Sequence, residues 1–251
     1  MASKIALPNL EVHVSHACNL RCRGCSHYSN FGMSGNLDTD QAELWFGTWA
    51  AKVRPREFAL LGGEPTMNPA LSEIVQLARR YWGESRLLLV TNGLLLRRHP
   101  NLLPILRDTQ TTLEISVHFR DPDYSDQIAK LRDYLEPWSK SVHIHWRNAC
   151  VTWSTRYVWD ADNPEAFHSS DAGRAWRACA IKQCRQLHDN HLWKCPLIAY
   201  LQPLVDLGVG PVALRKYLDY QPLPPSATAD EIGRWLAIGA ESCCEMCPER
   251  R

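Results

Sequence analysis

Leu10-Glu11-Val12-His13-Val14-Ser15-His16 leads, after Ala17, into Cys18-Asn19-Leu20-Arg21-Cys22-Arg23-Gly24-Cys25. The first segment alternates apolar and polar residues, the period-two signature of a strand. The second sets three thiols within eight residues, directly after that strand. Three thiolates at this spacing can take three corners of one cubane iron–sulfur cluster, for which four cysteines are the usual complement. The fourth iron is then open to a small molecule. A zinc site is the alternative, but zinc sites usually pair two Cys-x2-Cys units, and no fourth ligand lies close in this stretch.

Working outward, the strand at 10–16 is the first of five. The others fall at 57–61, 86–91, 112–118 and 141–147, the second stopped by Gly62-Gly63 and the third by Asn92-Gly93. Helices are expected at 38–53, with Leu44, Trp45, Trp49 and Val53 on one face, at 70–82, with Leu71, Ile74, Val75 and Ala78 at helical spacing, at 100–108 and at about 124–136. Five alternations of this kind predict a parallel α/β sheet or barrel. A parallel strand covered on both faces should be almost continuously apolar. Here Glu11, His13 and Ser15, then Glu114, Ser116 and His118, then His143, His145 and Arg147 alternate with apolar residues. A wide or incomplete barrel with a polar, ligand-holding lumen accommodates such faces, whereas a closed barrel filled by side chains does not. Half-exposed antiparallel strands are the competing explanation.

From about residue 160 the rhythm breaks. The stretch 160–190 is polar and irregular, a hairpin fits 186–196 around Asp189-Asn190, and helices fit 197–207 and 228–240 on either side of a Pro-rich link at 222–225. No repeat and no low-complexity segment is visible. The 251 residues, 45% of them hydrophobic, can bury a sizeable core as one large domain or one domain plus an appendage. A net charge of +1 gives no pointer to nucleic acid. No apolar run approaches the ~18 residues of a membrane span, and the N-terminus lacks the apolar stretch of a signal peptide. These features predict a cytoplasmic protein. Ten cysteines are many for that compartment, where disulfides are rare. Nine of the ten cluster at 18–25, 179–195 and 243–247, leaving Cys150 alone, so metal ligation explains them better than a disulfide framework.

The chain over residues 8–150 resembles the radical S-adenosylmethionine (SAM) superfamily, whose hallmark is Cys-x3-Cys-x2-Cys after the first strand of a partial (β/α)6 barrel. The resemblance implies an α/β fold of that type, with a [4Fe–4S] cluster on Cys18, Cys22 and Cys25. Gly62-Gly63-Glu64-Pro65, after the second strand, matches the segment that holds the amino group of SAM, and its chemistry suits that role: glycines permit close backbone approach and Glu64 offers a carboxylate to a cation. Thr91-Asn92-Gly93 looks like the family's third-strand end, and Ser116 or His118 matches the place of contact with the SAM ribose or carboxylate. Gly24 departs from the aromatic residue that many members carry before the third cysteine. The string Cys-Arg-Gly-Cys-Ser-His-Tyr-Ser is similar to a subgroup associated with carbohydrate gene clusters. The implied chemistry is reductive cleavage of SAM to a 5′-deoxyadenosyl radical, which takes hydrogen from a substrate.

Cys179, Asn190, Cys195 and the closing Cys244-Glu245-Met246-Cys247 resemble the short auxiliary-cluster extension called the twitch domain, or the front half of the SPASM domain. That resemblance implies a second [4Fe–4S] cluster on Cys179, Cys195, Cys244 and Cys247, with Cys184 and Cys243 as substitutes for a neighbour in that set. It also implies a division into a barrel at 1–160 and an extension at 161–251. Asn190 stands where the family has Gly, and Asn is the next-best residue for a left-handed turn. A structural zinc on the same four cysteines is the alternative. The expected substrate is a small polar metabolite of sugar or cyclitol type, dehydrogenated or epimerised, with His118, His145 and Arg147 facing it at the strand ends. Electrons are expected from an external flavodoxin- or ferredoxin-type donor, with no nucleic-acid or membrane partner. A peptide substrate and a non-catalytic electron carrier are the alternatives. Cys150 or Cys184 could serve as a hydrogen donor, though a buried apolar thiol is the plainer reading of Cys150. Trp45, Trp49, Trp153, Trp159, Trp176 and Trp193 fit a core or a sugar site, and for most of them the core suits better.

Overall fold

The computed structural model describes residues 4–152, 156–160, 163–165, 171–210 and 212–249. Five strands joined by four helices come first: β1 (Ile5–Ser15), α1 (Thr39–Ala50), β2 (Val53–Gly62), α2 (Leu71–Tyr81), β3 (Arg86–Thr91), α3 (Leu102–Asp108), β4 (Thr112–Val117), α4 (Pro122–Leu135) and β5 (Ile144–Asn148). There follow α5 (Ala149–Thr152), a small antiparallel pair β6 (Val158–Asp160) and β7 (Asn163–Glu165), α6 (Ala172–Ala178), the hairpin β8 (Cys184–His188) and β9 (His191–Trp193), and helices α7 (Pro196–Ala199), α8 (Leu201–Asp206) and α9 (Ala229–Ala237). The main sheet has the order β5-β4-β3-β2-β1-β8-β9. All its pairings are parallel except that of β8 with β9. This is an open, partial (β/α) barrel, and it removes the antiparallel explanation of the polar strand faces. The sixth parallel strand among the described residues is β8, which adds to the free edge of β1 instead of following β5.

The local chemistry explains the element ends. Asp38 caps α1: its carboxylate accepts from Gln41 N–H at 2.7 Å while its own N–H donates to the Gln41 side chain at 3.2 Å. Asp121 caps α4, accepting from Tyr124 N–H at 2.9 Å. The helix expected at 197–207 is split at Tyr200 into α7 and α8. Pro203 lacks the N–H that would continue the ladder across the break. The stretch at 160–190, expected to be irregular, contains α6. Asp189 and Asn190 both have left-handed backbone (φ 48° and 55°) and make the two-residue hairpin turn between β8 and β9.

The helices cover the outer face of the sheet, where Phe58, Leu60, Leu87 and Leu89 are fully buried with Phe46, Trp49 and Ile74. Phe58 lies between Phe46 and Trp82, with ring centres 5.4 and 4.0 Å away. Each such side chain contributes about 1.5–3 kcal/mol by leaving water. The inner faces of β2 and β3 carry small and medium apolar residues, Ala59, Leu61 and Leu88. Those of β1, β4 and β5 carry the polar residues. Trp49 also ties α1 to the hairpin, donating from Nε1 to the Asn190 carbonyl at 3.1 Å. A second buried cluster gathers Tyr28 and Met33, just after the cysteine triad, with Tyr157, Tyr200, Leu204 and Met246, so the C-terminal third packs against the segment that follows the triad. Among the described residues no helix is long and apolar enough to cross a membrane. Trp153 lies outside the described residues, as does the side chain of Trp159.

At the end of β2 the chain runs against the segment that leads to the cysteine triad. Gly63 N–H donates to Ser15 O and Glu64 N–H to Ala17 O, both at 2.8 Å. A Cβ at Gly63 would stand 2.2 Å from the Ala17 carbonyl oxygen. Gly63→Ala is therefore expected to cost about 1–3 kcal/mol, seen as a lower urea midpoint. Gly233→Ala, inside α9 with open space around it, is expected to gain about 0.5–1 kcal/mol. Equal midpoints for the two variants would remove the close approach.

Candidate active site

A cleft opens at the C-terminal ends of the parallel strands. Cys18, Cys22 and Cys25 line it, together with Gly62, Gly63, Glu64, Asn92, Ser116, His118 and Arg147. Ten residues singled out in the sequence thus share one cavity. Pro65 is not among the lining: it is buried as the first residue of the 3-10 turn 65–67 and shapes the chain beside the cleft. His145 does not reach the cleft either. It lies two residues before Arg147 on β5, half-exposed, where it meets Glu114 at 3.1 Å.

The triad loop is shaped to hold thiolates. The backbone N–H groups of His27, Tyr28, Ser29 and Asn30 point toward the Cys25 sulfur, and Leu20 N–H lies 3.4 Å from that of Cys18. Tyr157 clamps the loop, donating to the Cys25 carbonyl at 3.1 Å. Burial pushes the Cys18 and Cys22 thiols up to about 12 and raises Cys25 as well. Metal coordination would release those protons. Three desolvated sulfurs met by N–H donors in one cavity are a donor set that fits an iron–sulfur cluster.

Glu64 organises the other wall. It is fully buried, and its Oε1 accepts from Thr66 N–H at 3.0 Å and from the Thr66 and Thr91 hydroxyls. Its Oε2 accepts from Asn92 N–H at 2.8 Å. Burial raises its pKa while these donors hold the charged form. Oε2, with one donor, keeps capacity for a ligand cation. The Asn92 side chain is itself engaged, donating to Asn19 Oδ1 at 2.8 Å and accepting from Leu94 N–H at 3.0 Å, so it positions the triad loop.

On β4 and β5 the polar residues meet as cross-strand partners, Glu114 beside His145 and Ser116 beside Arg147. Arg147 donates from Nη2 to Ser116 Oγ at 3.0 Å and pairs with Glu114 at 3.0 Å. His118 is pushed down to about 4, first by burial and then by Arg147. It is therefore a neutral hydrogen-bonding imidazole near pH 7 instead of the near-neutral base that its residue type suggests. Leu20, His27, Ser29 and Asn30 also line the cleft. Their signal in the sequence is position alone, within five residues of a triad cysteine. The buried Ser29 hydroxyl and Asn30 amide nitrogen have no partner among the described residues.

A second, small cavity is lined by Cys179, Cys195, Cys244 and Cys247, and by Cys243 as well. The Cys195 thiol is pushed up to about 12 by burial, against backbone N–H donors from Ile198 and Leu197. A thiol–thiol hydrogen bond from Cys243 holds Cys244 down at about 6. Buried thiols and backbone donors here repeat the pattern of the triad. Cys184 is elsewhere, hydrogen-bonded to Glu11. Cys150 is half-buried among polar partners, donating to Asn148 Oδ1 at 2.7 Å and accepting from Arg120 Nε at 3.3 Å, and is not the apolar thiol expected. Of the tryptophans, Trp49 is core, Trp176 lines the cysteine cavity, and Trp45 and Trp193 line a separate cleft with His13, His16 and His188.

Comparison with known proteins gives the family. GTP 3′,8-cyclase of Chlorobaculum tepidum is 30% identical over 94 residues, 38% of this chain and 28% of that protein. GTP 3′,8-cyclase of Aquifex aeolicus is 27% identical over 124 residues, 47% of this chain and 38% of that one. The chain thus spans well under half the length of these curated relatives. A crystal structure of BtrN in complex with AdoMet and 2-DOIA shares the fold, with a TM-score of 0.51 and 15% identity over 78% of this chain and 75% of that one. The profile of the radical SAM superfamily matches residues 12–160. With that match over more than half its length, this chain belongs to the radical SAM superfamily.

Proposed function

We propose that Cys18, Cys22 and Cys25 hold a [4Fe–4S] cluster with SAM in the adjoining cleft, and that the enzyme acts on a small polar substrate of sugar or cyclitol type, by dehydrogenation or epimerisation. The observation that carries this reading is the common cavity of the three thiols with Gly62–Glu64, Ser116 and Arg147. When bound, the reduced cluster and SAM supply the one-electron chemistry that removes hydrogen from an unactivated C–H bond. The chain's own residues bind and orient. Gly62 and Gly63 let the backbone approach the ligand. Glu64 Oε2 receives the SAM ammonium. Ser116 and Arg147 hold a carboxylate or hydroxyl oxygen, Arg147 better suited to an anionic group. His118, neutral, donates or accepts a hydrogen bond at the substrate side. Cys179, Cys195, Cys244 and Cys247 hold an auxiliary [4Fe–4S] cluster, Cys243 being the alternative to Cys244, and the first electron comes from a flavodoxin- or ferredoxin-type protein. The likeness to GTP 3′,8-cyclases keeps nucleotides within the substrate class. Modification of a ribosomally made peptide uses the same residues and is separated from this reading by assay of the two substrate types.

The anaerobically reconstituted protein is expected to carry about eight irons. Replacing Cys18, Cys22 and Cys25 together by Ala should leave about four and abolish formation of 5′-deoxyadenosine. Reductive SAM cleavage by that variant would overturn the assignment. Glu64→Ala is expected to weaken SAM binding ten- to a hundredfold, from a charge-assisted contact of about 1.5–3 kcal/mol, with iron content retained. Unchanged affinity by calorimetry would remove Glu64 from the site. Arg147→Ala and His118→Ala should each lower substrate-dependent 5′-deoxyadenosine more than the substrate-independent background. Parental turnover in both would move the substrate elsewhere.

A further inference from the structure

The cavity of the C-terminal cysteines is lined by two lysines, Lys182 and Lys194, and the second of them is buried. Lys194 lines it, 3% exposed, directly before Cys195. Its Nζ stands 4.6 Å from the centre of the Trp176 ring, donates to the Gly239 carbonyl at 2.6 Å and pairs with Glu241. Arg185, 7% exposed, has its guanidinium carbon 6.0 Å from the same ring and 5.3 Å from that of Trp235. Its Nη1 donates to the carbonyls of Lys182 and Lys194 at 2.5 and 3.1 Å. Among the described residues, no carboxylate is in ion-pair range of Arg185, and the pairing of these two cations is that of Lys194 with Glu241. A buried cation in excess of its counter-charge is costly unless another anion lies close. Four thiolates around a [4Fe–4S] core in its oxidised state carry a net charge of about −2, and one electron more makes the centre more negative still.

We infer that Lys194, backed by Arg185, is an electrostatic positioning residue for the auxiliary centre, favouring its reduced form and so setting the potential at which it accepts one electron. The inference rests on the reading of these cysteines as cluster ligands. The electron arrives from the one-electron donor protein or from the substrate radical, which is oxidised as it gives the electron up, and no proton accompanies it onto the cluster. Glu241 opposes this effect by neutralising the ammonium. Charge acts strongly in a site that is desolvated.

The test uses the full chain with Cys18, Cys22 and Cys25 replaced by Ala, reconstituted anaerobically, so that the auxiliary centre is the one titrated. Dithionite titration followed by electron paramagnetic resonance gives its midpoint potential. Lys194→Met is expected to lower the potential and Glu241→Gln to raise it, while Lys194→Arg stays at the parental value. General damage to the site would shift the first two in the same direction. Potentials that do not move, or that move together, in variants retaining about four irons overturn the inference. If Lys194→Met does not retain iron, Glu241→Gln decides, and an unmoved or lowered potential overturns the inference. An iron-free parent overturns the cluster reading and this inference with it.

Discussion

A carboxylate in the middle of a protein is expensive, and this fold places one where three strand ends meet. Glu64 is fully buried, and what makes that tolerable is a shell of donors from two further points in the chain, Thr66 and the Thr91-Asn92 pair. Removing such a charge from water costs several kcal/mol unless hydrogen bonds replace the lost solvent. The same shell therefore fixes the geometry. Asn92 passes the constraint on to Asn19 in the triad loop, and Glu64 N–H and Gly63 N–H fasten the β2 end to Ala17 and Ser15. The cysteines, the glycine pair and the strand-three turn are held as one piece, and the cleft exists because they are.

Around that piece, two sites repeat one design at different depths. In each, thiols are taken out of water, which favours their protonated form, while backbone N–H groups are turned toward the sulfurs, which favours thiolate. Cys18, Cys22 and Cys195 stay neutral near pH 7 in such a setting, while the hydrogen bond from Cys243 makes Cys244 the exception. A metal centre reverses the balance because it replaces the proton and uses the N–H donors that were waiting. The difference between the sites is the surrounding charge. The triad cleft opens onto Glu64 and Arg147, while the C-terminal cavity is closed over by Lys194 and Trp176.

Much of this was legible in the sequence wherever the signal was local. The triad, Gly62–Glu64, and the Asp189–Asn190 turn depend on spacings of a few residues, and each stands where its spacing places it. Strand parity was legible too, since alternation put Ser116 and Arg147 on the inner face. What alternation does not give is depth along the strand: His145 shares that face but lies two residues short of the cleft. Nor does residue type give protonation, because burial beside Arg147 lowers His118 to about 4. His27, Ser29 and Asn30 carry no pattern and became visible only when the loop had wrapped. The place of β8 was beyond reach for another reason, since its partner lies at the far end of the chain.

That pairing has a consequence for how the protein comes into being. Asn9 is in register with Cys184, so β1 finds its second neighbour only after some 175 further residues have been made. At a synthesis rate of about 5–20 residues per second, its outer edge waits roughly 10–35 s on the ribosome. Through that interval the nascent chain presents an unpaired strand edge, with the triad thiols next to it in sequence and not yet enclosed. The slow closing contact ties the order of folding to the site: the triad is made early and stays open, and the C-terminal cysteines arrive with the strand that seals the edge.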